Sequence, residues 1–142
     1  MRVGDRRLAR VLLAGGLLLA VGGAAAAQRE GRIAPPARLE CPRDNTTSFT
    51  GRVVAYRRAA GRVFLRVRTD EQTTEEFTLR AADLRRLFLL RGEAFRRGNW
   101  RRIETRPGRL RAGVRATVWA CYVGDEPQAK LIDWSPGQNR EQ

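Results

Sequence analysis

The chain contains no histidine, two cysteines and a single methionine among 142 residues. Without histidine there is no imidazole base, no imidazole metal ligand and no Ser-His-Asp triad. Two isolated cysteines cannot build a four-ligand zinc site, and no C-x-x-C pair is present for redox work. Neither G-x-x-x-x-G-K-[ST] nor G-x-G-x-x-G occurs, so the familiar phosphate-binding loops are absent. Lysine is nearly absent too. Of the 28 basic residues all but Lys130 are arginine, against 15 acids, and the formal net charge is +13. An excess of that size attracts anionic partners, yet an Arg-, Ala- and Gly-rich composition is also what a GC-rich genome produces. No cofactor is implied, and the acid pairs Asp70/Glu71 and Glu75/Glu76 read as surface salt-bridge formers rather than as an acid–base couple.

What is present begins with a targeting pattern. Arg2, Arg6, Arg7 and Arg10 precede an apolar run, Val11–Val21, and a small-residue tail ending Ala25-Ala26-Ala27. This is the layout of a secretory signal peptide over residues 1–27, cut before Gln28; retention as an N-terminal anchor is the alternative. Residues 28–40, with Pro35-Pro36 and few large apolar side chains, read as a flexible leader. The expected localisation is exported, periplasmic or secreted, with no membrane span after cleavage. In an oxidising compartment Cys41 and Cys121 are expected to pair, closing a loop of about 80 residues.

From residue 41 to 134 the pattern is mainly β. Phe49–Arg58 is a first strand interrupted at Gly51, with Val53 and Ala55 expected on one face and Val54 and Tyr56 on the other. Arg62–Thr69 alternates cleanly, with Val63, Leu65 and Val67 against Arg62, Phe64, Arg66 and Arg68. Glu75–Arg80 is the third strand. Leu84, Leu87 and Phe88 fall at helical spacing, so Ala81–Leu90 is expected to be a short helix, with a strand over Phe88–Leu90 as its rival. Gly92–Arg109 reads as a long ordered loop pinned by Trp100 and Phe95. Gly113–Tyr122 is the strongest strand signal, with Val114, Ala116, Val118 and Ala120 on one face and Arg115, Thr117, Trp119 and Cys121 on the other. Gln128–Trp134 is the last strand, and residues 135–142 are a polar tail.

The order β-β-β-α-β-β, the Gly51-Arg52-Val53-Val54 start and the helix before the fourth strand resemble the OB-fold, a five-stranded Greek-key barrel, as found in small exported bacterial OB-like proteins. An SH3-like barrel is the competitor. The resemblance implies oligonucleotide or oligosaccharide binding on the second and third strands, where Phe64 stands among Arg62, Arg66 and Arg68. Phe64 could equally pack beneath arginine stems. A second candidate is Trp100 with Arg101 and Arg102, residue types that dominate protein interfaces, offered to an envelope protein or an anionic surface. There Trp100 could instead plug the barrel end. The sequence reading is therefore a non-catalytic exported binding module, with single-stranded nucleic acid or another polyanion as the alternative ligand.

Overall fold

The computed structural model describes residues 33–137. The signal segment expected over 1–27, the start of the leader and the last five residues lie outside the described residues.

The expected β character holds, and so do all five expected strands. They appear as β1 (Thr46–Ala59), β2 (Arg62–Thr69), β3 (Thr74–Arg80), β8 (Arg115–Val123) and β9 (Glu126–Ser135). Between β3 and β8 lie four short strands: β4 (Phe88–Leu90), β5 (Glu93–Ala94), β6 (Glu104–Arg106) and β7 (Arg109–Leu110). The main sheet has seven strands in the order β3-β2-β1-β8-β9-β4-β5, and β6 pairs with β7 separately. Every ladder is antiparallel except that of β4 with β9.

This corrects the expectation of a closed five-stranded barrel. β3 approaches β9, but no ladder joins them. The free side of β9 is taken by β4, with Phe88 opposite Ile132 and Leu90 opposite Trp134. β4 also corrects the expected helix over Ala81–Leu90. Asp83 accepts a hydrogen bond from the Arg85 amide at 3.1 Å and caps a single 3-10 turn, Leu84–Leu87, after which the chain extends. Phe88, Leu89 and Leu90 are all buried. Three consecutive buried residues suit a strand covered on both faces better than a helix with one apolar stripe.

β1 is the hinge of the sheet. Its first half pairs with β8 and its second half with β2, the two ladders overlapping at Gly51 and Arg52. A Cβ on Gly51 would lie 2.0 Å from the Arg68 carbonyl oxygen, so only glycine lets β2 cross so close. The ladder then slips between Val53 and Ala55. Val54 is the extra residue of a bulge and is 51% exposed, while Val53 and Tyr56 both pack against the core. The alternation expected for Val53–Tyr56 fails for that reason.

The inner face carries the main core, from Val63, Leu65 and Val67 across to Val118, Ile132 and Trp134. The alternation expected for β8 holds, and Trp119 and Cys121 fall on the opposite face. Both are buried, together with Leu89 and Leu131, yet none of the four belongs to the main core. The segment before β1 is attached on this side of the sheet. Cys41 is disulfide-bonded to Cys121, with Cα atoms 6.0 Å apart, and Arg38 donates to the Arg86 carbonyl at 2.7 Å, just before β4. Residues 38–41 thus strap the outside of the β8-β9-β4 region.

Candidate functional site: an arginine-rich cap

Residues 91–111, which include the Gly92–Arg109 stretch expected to be a loop, fold into a cap of very short elements. Arg97–Asn99 is a 3-10 turn running into α1 (Trp100–Ile103). The Asn99 side-chain oxygen accepts from the Arg96 backbone amide at 2.7 Å, and the Asn99 backbone amide donates to the Arg96 carbonyl at 2.9 Å, which sets the entry to α1. At the other end, Arg111 donates from its amide to Ile103 O at 2.8 Å and from Nε to Arg101 O at 2.7 Å.

The cap is pinned from beneath. Phe88 is the centre of three edge-to-face contacts, with Phe95 at 5.4 Å, Trp100 at 5.6 Å and Trp134 at 5.5 Å between ring centroids. Phe95 and Trp100 also meet at 5.0 Å. Such pairs contribute roughly 0.5–1.5 kcal/mol each beyond the area they bury. Ile103 is fully buried beside them.

The second anchor is ionic. Glu104 is only 5% exposed. Its Oε1 accepts from Tyr56 Oη at 2.6 Å and Arg58 Nε at 2.7 Å, and its Oε2 accepts from Arg58 Nη2 at 2.8 Å. The Gly108 amide adds a longer bond to Oε1 at 3.3 Å, tying the β6–β7 turn to the same carboxylate. Burial, then the Glu104 hydrogen bond, pushes the Tyr56 phenol far above its ordinary value. The Glu104 hydrogen bond likewise raises Arg58. The Arg58 guanidinium also lies 4.1 Å from the centroid of the Trp100 ring, covering it. Beneath this cluster the Trp134 indole N–H is, among the described residues, the one buried side-chain donor without a partner. The Trp134 ring itself meets Tyr56 and Phe88 edge-to-face, with centroids 5.8 and 5.5 Å apart.

On the outside the cap is arginine. Arg96, Arg97, Arg101, Arg102, Arg106 and Arg109 are all exposed. Among the described residues the ion pairs are Arg58–Glu104, Arg66–Glu76, Arg85–Asp83 and Arg115–Asp70. None of them involves an arginine of the cap. The surface can therefore hold anions. Its one buried carboxylate is saturated by three side-chain hydrogen bonds and the longer amide bond. Among the described residues no three Cys, Asp or Glu side chains come together as metal ligands, and no helix is long and apolar enough to cross a membrane.

The residues singled out from the sequence divide unevenly. Trp100, Arg101 and Arg102 do share α1, but Trp100 turns into the aromatic cluster while the two arginines face outward. Phe64 stands half-buried on the outer face of β2 with Arg62, Arg66 and Arg68. Its ring is covered by the Arg57 guanidinium at 4.7 Å. Arg66 is paired with Glu76 at 2.5 Å, and Arg68 reaches Gln72 at 3.4 Å. Arg62 stands opposite Arg80 with no carboxylate partner among the described residues. Tyr56, Arg58 and Glu104 were not visible as a group in the sequence, because 46 residues separate the ion pair. The one hint was that Glu104 stands between pairs of arginines, Arg101-Arg102 before it and Arg106 and Arg109 after it.

No family model, no curated protein and no solved structure matches the chain.

Proposed function

We propose that this chain is an exported, non-catalytic binding module that docks an anionic partner through the cap. The observation that carries the reading is the set of six exposed arginines without carboxylate partners among the described residues, standing on a cap fixed by the Phe88 cluster and by Glu104. Arginine interaction surfaces gain specificity when the guanidinium forks are preorganised, and this backbone is pinned at both ends. An envelope protein or an anionic envelope surface is the partner class.

Export is supported by the leader pattern of residues 1–27 and by the Cys41–Cys121 disulfide, which suits an oxidising compartment. An OB-like scaffold is supported by the neighbour order β3-β2-β1-β8-β9, with β4 as an addition on β9. Absence of catalysis is supported by the lack of histidine and by the saturated hydrogen bonding of Glu104. The rival reading, single-stranded nucleic acid stacked on Phe64, has less support, since Arg57 covers that ring.

The test is a pull-down from envelope extract with the intact chain. Charge reversal by Arg101→Glu with Arg102→Glu is expected to abolish specific recovery without lowering the unfolding midpoint. Trp100→Ala is a poor probe because it removes a core contact. Undiminished recovery by the charge-reversed chain would refute the reading.

A further inference from the structure

Resting on that proposed function, we infer that the partner of the cap is an anionic polysaccharide, a sugar chain bearing carboxylate, phosphate or sulfate groups and held through those charges. Three features of the surface narrow the partner to that class. First, no large apolar side chain is exposed on the cap. The exposed large hydrophobic residues among those described are Ile33, Val54, Tyr122 and Val123, all elsewhere. A bilayer-docking surface combines cations with apolar residues that enter the acyl boundary, and a dry protein interface needs an apolar or aromatic centre. The cap has neither.

Second, the aromatic rings at this end of the molecule are already covered. Arg58 lies over Trp100 and Arg57 over Phe64, so unstacked bases find no free ring to rest on. Recognition is left to guanidinium groups, which match carboxylate, phosphate and sulfate geometry with two parallel N–H donors.

Third, the charge forms a strip rather than a spot. The β6–β7 turn lies against the end of β1, where a Cβ on Gly108 would stand 3.6 Å from the Arg58 carbonyl oxygen. This sets Arg106 and Arg109 beside the sheet end that carries Arg57, Arg62 and Arg80. None of these five makes an ion pair among the described residues. Cations therefore run from α1 along the β6–β7 hairpin and onto the outer face of the sheet, a shape that suits an extended chain of repeating charge.

The test uses the disulfide-bonded chain and four probes: polygalacturonate, heparin, a thymidine homopolymer and vesicles of phosphatidylglycerol in phosphatidylcholine. Both polysaccharides are expected to bind, with affinity falling about 20–50-fold between about 50 and 200 mM salt if three or four charges are engaged. Arg101→Glu with Arg102→Glu, and independently Arg96→Glu with Arg97→Glu, should each weaken binding at least about tenfold and flatten the salt dependence. Arg62→Glu with Arg80→Glu should weaken long chains more than short oligosaccharides. Urea midpoints confirm that each variant is folded. If all three variants bind both polysaccharides like the parent, the cap is not the site, and the proposed function falls with the inference. If the cap variants lose binding to vesicles or to the thymidine homopolymer while neither polysaccharide binds the parent, the inference is overturned and the proposed function stands.

Discussion

Glu104→Gln tests the anchor on which the cap rests. The substitution keeps the volume of the side chain and removes its charge. Glu104 now accepts from Tyr56, twice from Arg58 and from the Gly108 amide. A glutamine offers one carbonyl oxygen to those donors and turns an NH2 group toward a guanidinium that has only donors. Breaking a buried ion pair by removing one partner costs about 3–5 kcal/mol. The Arg58 side chain is 22% exposed against 4% for Glu104, so the orphaned guanidinium recovers some hydration. The expected loss is therefore nearer 2–3 kcal/mol by the same reasoning, or roughly 10–20 °C in Tm for a domain of this size. Urea denaturation followed by tryptophan fluorescence measures it. Arg58→Met completes a double-mutant cycle. The double variant is expected to be more stable than Glu104→Gln alone, because no unpaired cation is left against Trp100. A Glu104→Gln loss below about 0.5 kcal/mol, or strict additivity in the cycle, would show that the carboxylate does not hold the cap.

Three further outcomes follow from the geometry. Gly51→Ala forces a methyl group onto the Arg68 carbonyl and is expected to cost about 3 kcal/mol or more, read as a lowered urea midpoint; a neutral effect would disprove the close crossing of β1 and β2. Cys41→Ser with Cys121→Ser removes a cross-link spanning 80 residues, with a loop-entropy ceiling of about 4–5 kcal/mol, and should lower the urea midpoint; an unchanged midpoint would refute the bracing role of the disulfide. Tyr56 holds its proton to higher pH when folded than when unfolded, so its contribution is intact below about pH 10 and is lost as the pH rises beyond that value. The unfolding free energy of the parent should decline above pH 10, and Tyr56→Phe should remove that part of the decline; identical pH profiles for the two would contradict the buried phenol.

The long strands were legible because their burial is one-sided. Val63, Leu65 and Val67 are all buried while Arg62, Arg66 and Arg68 are exposed, the period-2 signal of a half-buried strand. The face of Cys121 was legible for the same reason, and so was its pairing with Cys41. Three features were not. The bulge at Val54 inserts one residue between Val53 and Ala55, and nothing in Val53-Val54-Ala55 marks which of them is extra. Phe88-Leu89-Leu90 is an apolar run whose period does not distinguish a helix from a doubly covered strand; the open side of β9 decides it. In the cap no strand or helical turn exceeds four residues, too short for any period to register, and it is held by rings that converge on Phe88 from positions 95, 100 and 134.

The arginine excess invites a compositional explanation, and the structure supplies a way to weigh it. A genomic bias toward arginine would place the residue without regard to partners. Outside the cap the pattern is mixed: Arg66, Arg85 and Arg115 each meet a surface carboxylate, while Arg57, Arg62, Arg68 and Arg80 make no ion pair among the described residues. Within residues 91–111 there are eight arginines and two glutamates. Glu104 is taken by Arg58, which comes from β1 rather than from the cap. Glu93 makes no ion pair among the described residues. The one internal acid of the cap is thus spent on fixing its position, and its own arginines are left facing outward. Arg58 serves twice in this, neutralising Glu104 and covering Trp100, so that neither a buried anion nor an open ring competes with the outer charge. Composition explains how many arginines the chain has. It does not explain why every arginine of the cap is left without an ion pair among the described residues while standing on the support made by Phe88, Phe95, Trp100 and Trp134.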